Sequence, residues 1–224
     1  MMHMRTSVAG HSLMLALACT LGATFPGYAA AQSVSGRAFG ASVDTPLANA
    51  ARSVVATLPG TPSPTGDLST AESDGLSVPN ALSASFLNST ATGAIGGDGA
   101  SAQTVATVAD VEILGGLIQA AELVAVAASS RDASGAASSA RGSTFENLVV
   151  RGVTMASGDE EVAPNTRVSL PGVGYVVLNE QRRSGDGRTS SGITVNMIHV
   201  VLTNALTGAK VGDIVVGSAS SAVR

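Results

Sequence analysis

The sequence predicts an all-β chain folded as an antiparallel β-sandwich-like domain, and three observations carry that expectation. Short runs of Val, Ile, Leu and Thr alternate with small polar residues at period two, the repeat of a half-buried strand. Gly, Pro and Asn punctuate the runs, with 26 glycines and 8 prolines in 224 residues, and many short strands between such turns suit a sandwich. The chain is also 45% hydrophobic and only 12% charged, too apolar for ordinary disorder. A β-solenoid is the alternative, since small residues and Gly pairs suit stacked coils, but no clean repeat period accompanies it.

The N-terminus reads as an export signal. Arg5 supplies a positive start, residues 12–22 an apolar core, and Pro26-Gly27 a break before the small residues Ala29-Ala30-Ala31. Cleavage is expected after Ala31, giving a signal peptide over 1–31 and one β-rich exported domain over 32–224. The apolar core is short for a membrane span, which takes about 20 residues. Cys19, the single cysteine, is expected to leave with the signal, since Leu17 stands one place too close to it for a lipidation motif. The remaining chain then has neither a disulfide framework nor a thiolate metal site.

Residues 33–44 read as a first strand and 53–58 as a second, ended by Pro59-Gly60, with a proline-rich loop at 61–66. Residues 67–83 are weakly patterned and suggest no element, and a short strand runs from Ser85 to Gly93. The stretch 108–127 decides the class. Asp110, Glu112 and Glu122 oppose a membrane span, each charge at mid-bilayer costing on the order of 3 kcal/mol. Val105, Thr107, Ala109, Val111 and Ile113 are expected on one face of a strand. After Gly115-Gly116 a second strand is expected, with Glu122 a misfit in its alternation. One helix around 117–127 is the alternative there, because residues 119–123 are good helix formers.

Residues 129–142 read as a Ser/Ala/Gly-rich loop or ragged edge. Residues 144–150 form a strand with Phe145, Asn147 and Val149 expected on one face, and 157–161 a polar turn. Pro171-Gly172 predicts a hairpin between 168–170 and 174–178. Residues 182–192 read as a solvated connection, 193–203 as a nearly continuous apolar strand, and 209–218 as the strand that closes the core.

The segments Thr144-Phe-Glu-Asn-Leu-Val-Val-Arg-Gly152, Ala163-Pro-Asn-Thr166, Leu170-Pro-Gly-Val-Gly174 and Leu178-Asn-Glu-Gln181 come in that order. Ile113-Leu-Gly-Gly-Leu-Ile118 precedes them, and His199-Val-Val-Leu-Thr203 and Gly208-Ala-Lys-Val-Gly-Asp-Ile-Val-Val-Gly-Ser218 follow. In these segments the chain resembles the choice-of-anchor P family over residues 35–223. The resemblance implies a bacterial, exported protein of unestablished function, and it transfers no catalytic residue. Family members carry C-terminal sorting tails, whereas nothing apolar and no sorting motif follows Gly217 here.

No residue is nominated as catalytic, cofactor-binding or metal-binding. His199 is the single histidine beyond residue 31. A hydrolytic triad would need it beside a serine and an acid such as Asp213, but it lies within an apolar strand and no nucleophile elbow is present. The bland reading is a histidine on a strand face. Gly96-Gly-Asp-Gly99 matches one turn of a calcium-binding glycine-rich repeat, yet occurs once. Asp159-Glu160-Glu161 reads as a solvated acidic turn before it reads as a weak calcium site. Asn88-Ser89-Thr90 fits a glycosylation sequon, a coincidence in a bacterial chain. The net charge of −4, the single basic pair Arg182-Arg183 and the lack of tryptophan argue against nucleic acid as a partner.

These readings predict a secreted or cell-surface, non-enzymatic structural or interaction protein of the envelope or extracellular matrix, with the periplasm as the other location. Its partners are expected to be further copies of itself or other surface proteins, joined through poorly defended edge strands. No cofactor and no membrane span after signal cleavage are expected. The alternative is a ligand-binding module for a glycan or cell-wall polymer, which requires a concave site gathering Tyr175, Asn179, Glu180 or Arg182.

Overall fold

The computed structural model describes residues 32–46 and 49–224; the expected signal peptide, with Cys19, lies outside the described residues. Strands β1 (Val34–Asp44) and β2 (Asn49–Thr57) form a first hairpin. The short β3 (Asp67–Ser73), β4 (Leu76–Val78) and β5 (Leu82–Ala84) precede three long strands, β6 (Phe86–Gly96), β7 (Gly99–Ile113) and β8 (Ile118–Asp132). Five short strands follow: β9 (Gly135–Ser139), β10 (Thr144–Glu146), β11 (Val149–Val150), β12 (Val153–Thr154) and β13 (Asp159–Glu160). The last four are β14 (Thr166–Leu170), β15 (Gly174–Gly185), β16 (Ser191–Thr203) and β17 (Lys210–Val223).

These strands make two sheets. Sheet A has the order β14-β15-β16-β17-β1-β2. Sheet B is built on the β7–β8 hairpin, with β6, β5 and β4 on the β7 side, β3 beyond β6, and β9, β10 and β11 succeeding one another along β8. Sheet A covers sheet B face to face: β1 packs over β6 and β7, and β17 over β7 and β8. The chain is thus all-β and β-sandwich-like, and neither sheet closes into a barrel. Every pairing is antiparallel. That overturns the solenoid, whose coils stack strands in parallel.

Several local expectations need correction. The strand expected after Gly115-Gly116 forms as β8, and the alternative helix over 117–127 does not, because the backbone of β8 bonds to β7 on one side and to β9, β10 and β11 on the other. The weakly patterned 67–83 holds β3, β4 and most of β5; β3 and β4 each pair on one side only, so polar residues are tolerated there. Within 129–142 the strand β8 persists to Asp132 and turns directly into β9. The strand from Ser85 continues past Gly93 to a two-residue turn at Gly97-Asp98. Glu160, expected in a turn, pairs with Phe145, and only 186–190 of the expected 182–192 connection lies outside β15 and β16. The hairpins at Gly115-Gly116 and Pro171-Gly172 form where expected, with φ of 64° and 84° at the glycine pair and 78° at Gly172.

The expected side-chain faces fail in one systematic way. In β7, Ala106 and Val108 are buried, then Val111 and Ile113, so the inward parity changes at Asp110, which has φ 49°. The β7–β8 register sets Asp110 opposite Ala121, and the β8–β10 register sets Ala121 opposite Asn147, with φ 50°. Inward residues accordingly switch from Ala120 to Leu123 in β8, and from Phe145 to Leu148 beyond β10. Sheet A carries the same device across five of its six strands. Its register aligns Asn179, Met197, Gly217, Gly40 and Val54 in one row across β15, β16, β17, β1 and β2. Alternate members, Asn179 (48°), Gly217 (64°) and Val54 (55°), have positive φ. A left-handed residue rotates the strand beyond it, so alternation resumes on the opposite parity.

This crease shapes the core. At Gly40 an added Cβ would stand 2.5 Å from Leu87 Cδ2, and at the neighbouring Gly217 it would collide with Leu123 Cδ1. The two glycines are sockets in sheet A for leucines from sheet B, both fully buried. Buried hydroxyls also link the layers: Thr104 Oγ1 donates to Ser220 O at 3.1 Å, and Ser129 Oγ to Ser221 O at 3.1 Å.

Candidate functional site

The crease leaves a mark on the outer face of sheet A. Where two consecutive residues turn inward, such as Met197 and Ile198, the outward side chains on either side are three residues apart. Asn196 and His199 on β16 stand in this relation, as do Ser218 and Val215 on β17. The resulting groove, about 380 Å³, is bordered by Arg37, Phe39, Arg52, Arg182, Thr194, Asn196, His199 and Ser218 among others. Two register rows supply most of these residues. Arg182, Thr194, Ser220 and Arg37 are register partners in one, and Glu180, Asn196, Ser218 and Phe39 in the next.

Glu180 is the centre of its polar network. One oxygen accepts from Asn196 Nδ2 at 2.7 Å and meets His199 Nδ1 at 2.9 Å; the other accepts from Arg182 Nη2 at 2.6 Å and Nε at 3.2 Å. Asn196 Oδ1 in turn accepts from Ser218 Oγ at 2.7 Å. The side chains of Glu180 and His199 are each only 12% exposed. Hydrogen bonding from His199 first, then from Asn196 and Arg182, outweighs burial and lowers the Glu180 pKa to about 2. Beyond this chain, Arg52 lies over the Phe39 ring at 5.2 Å, and Lys210 pairs with Asp213.

The residues singled out from sequence fall unevenly. Arg182 borders the groove, and Glu180 stands beside it, bonded to Arg182, Asn196 and His199. Asn179 does not: it lies on the crease, 4% exposed, with Nδ2 donating to Val162 O at 2.7 Å. Tyr175 is stacked by Arg167 at 3.7 Å near the β14–β15 hairpin. His199 does have an acid on Nδ1, but that acid is Glu180; Asp213 is engaged by Lys210. No serine hydroxyl bonds the histidine among the described residues, and Ser218 Oγ donates to Asn196. Asp159 and Glu160 are exposed on β13, with Glu160 Oε2 accepting from Ser157 N at 3.2 Å. Gly97-Asp98 turns the β6–β7 hairpin, and Asn88 lies within β6. Among the described residues no three His, Cys, Asp or Glu gather as a metal site.

Sequence reasoning missed Arg37, Phe39, Arg52, Asn196 and Ser218. No local motif marks them, because each is an ordinary outward position on its own strand. A larger hollow of about 640 Å³ crosses the outer face of sheet B. Its lining is Ala, Ser, Thr and Gly with Asp67, Leu68 and Gln103, so it lacks the gathered charge and amide chemistry of the sheet A groove.

No family model matches the chain, and neither a curated protein nor a solved structure matches it. The likeness to choice-of-anchor P proteins rests on the quoted segments alone.

Proposed function

We propose that this chain is an exported, non-enzymatic interaction protein of the bacterial envelope or matrix, acting as a binding module through the outer face of sheet A. One observation carries the reading: a groove beside the crease is bordered by an amide, an imidazole and several guanidiniums, with the acid Glu180 holding Asn196, His199 and Arg182 in place. Such pre-positioned polar groups in a concavity are what orients a ligand. The first expectation from the sequence, self-assembly through edge strands, has less support than its alternative. Thr57 N–H of edge strand β2 donates to Ser69 Oγ of β3 at 3.2 Å, and β3 carries Asp67 and Glu72 while β14 carries Arg167. Charged or engaged edges resist strand addition.

Calorimetric titration of the purified protein with soluble extracellular polysaccharides tests the proposal. Saturable binding is expected, weakened by Asn196→Ala and His199→Ala and left intact by Gln103→Ala on sheet B. Binding that ignores the groove variants overturns the assignment of the face. Absence of binding together with concentration-dependent growth in light scattering returns the protein to a self-assembling structural role.

A further inference from the structure

The composition of the groove specifies its ligand further than the binding reading on which this inference rests. The chain carries a net charge of −4, yet the groove borders include Arg37, Arg52, Arg182 and Lys210 with Asp213 as the one acid among them. Lys210 and Asp213 neutralise each other, and Glu180 is matched by Arg182. Neither Arg37 nor Arg52 has an acidic partner among the described residues. Two uncompensated guanidiniums thus stand at the groove of an acidic molecule.

Their placement has a pattern. Arg37 and Arg182 share one register row, three strands apart, with Ser220 and Thr194 between them. At about 4.8 Å per strand the two backbones are roughly 14 Å apart, so two long side chains flank a floor of hydroxyls. Arg182 is held by Glu180 through Nε and Nη2, which pre-orients it and lowers the entropy lost when it takes a ligand anion. Phe39, the aromatic residue at the groove, is 9% exposed and has Arg52 over its ring. Stacking of a sugar or a base on that face would require displacing the guanidinium, so ionic and hydrogen bonds must supply the recognition.

We propose that the groove binds an acidic polysaccharide, a hydroxyl-rich chain bearing a carboxylate or sulfate on its sugars. Arg37, Arg52 and Arg182 receive the anionic groups, and Thr194, Asn196 and Ser220 face the sugar hydroxyls. Guanidinium forks match the planar oxygens of a carboxylate. A nucleic acid fits poorly: a duplex carries about one charge per 1.7 Å, which would also meet the acidic remainder of the surface. A polysaccharide with at most one charge per sugar suits a few spaced arginines.

The test titrates the purified protein with polygalacturonate, dextran sulfate and uncharged dextran at low and near-physiological salt. Arg37→Gln and Arg52→Gln are compared with Arg188→Gln in the exposed 186–190 turn, each variant first shown by thermal unfolding to be folded. Polygalacturonate or dextran sulfate is expected to bind and dextran not; the preferred polymer names the anionic group. Each groove arginine removed is expected to weaken binding about tenfold, salt to weaken it further, and Arg188→Gln to change nothing. Equal binding of dextran, or indifference to both groove variants, overturns the anionic assignment while leaving a binding module for neutral glycans. Failure of both anionic polymers also overturns it, and a neutral glycan that still binds in a groove-dependent way preserves the broader reading.

Discussion

At Gly217 the backbone has φ +64° and faces Leu123 across the sandwich, so two separate penalties meet a substitution there. A side chain in the left-handed region costs about 1–2 kcal/mol, and overpacking a filled core adds about as much again. Gly217→Ala is therefore expected to destabilise by about 3 kcal/mol in urea unfolding. Gly60→Ala, where an added Cβ meets nothing within 4 Å, is expected to change stability by less than about 0.5 kcal/mol. Equal effects at the two sites would refute the socket account. Glu180 gives a second test at this scale. Its folded pKa of about 2 lies below the ordinary 4.5, so the unfolded chain binds the proton more readily. Its contribution is whole above about pH 4.5 and is lost as pH falls toward 2. Melting temperatures of the native protein and of Glu180→Gln are expected to differ at pH 7 and to converge across that acid window; a constant difference would show that Glu180 is not held in its charged form by its neighbours.

The strands owe their two-sided burial to the crease, and Asn147 isolates its contribution. That residue is exposed, has φ 50°, and occupies the row where β8 and the strands beyond it change parity. Asn147→Gly is expected to be nearly neutral, while Asn147→Val costs upward of about 1 kcal/mol because a β-branched residue resists that backbone. If valine is tolerated as well as glycine, positive φ is not what sets the parity. The crease was only faintly legible in the sequence. Glu122 stood out as a misfit in an otherwise apolar alternation, and the structure explains it: Ala121 and Glu122 are the two consecutive residues that leave the core while Ala120 and Leu123 stay in it. A strict period-two reading carries one parity to the strand's end and so misplaces Val105 and Asn147. Turn chemistry was more reliable, because Gly115-Gly116 and Pro171-Gly172 act through their own backbones and need no distant partner.

Across the whole molecule, the first and last strands pair side by side. Val34 is the register partner of Val223, and Ser33 N donates to Arg224 O at 3.0 Å while Arg224 N donates to Ser33 O at 2.9 Å. Strand β17 lies between β16 and β1, so removing residues 219–224 strips pairing from both neighbours. Such a truncation is expected to abolish the cooperative unfolding transition, as read by circular dichroism. Pairing across nearly the entire domain also gives a high contact order, and stopped-flow refolding is expected in the millisecond-to-second range. A sub-millisecond phase with full amplitude would contradict this pairing as the rate-setting step. By itself the sequence determined the class, the hairpin turns and much of what is buried, since period, propensity and turn residues act over a few neighbouring positions. Only the tertiary structure decided the groove. Arg37 lies on β1, and Glu180, Asn196, His199 and Ser218 on the successive strands β15, β16 and β17; what unites them is register between strands, which no local pattern encodes.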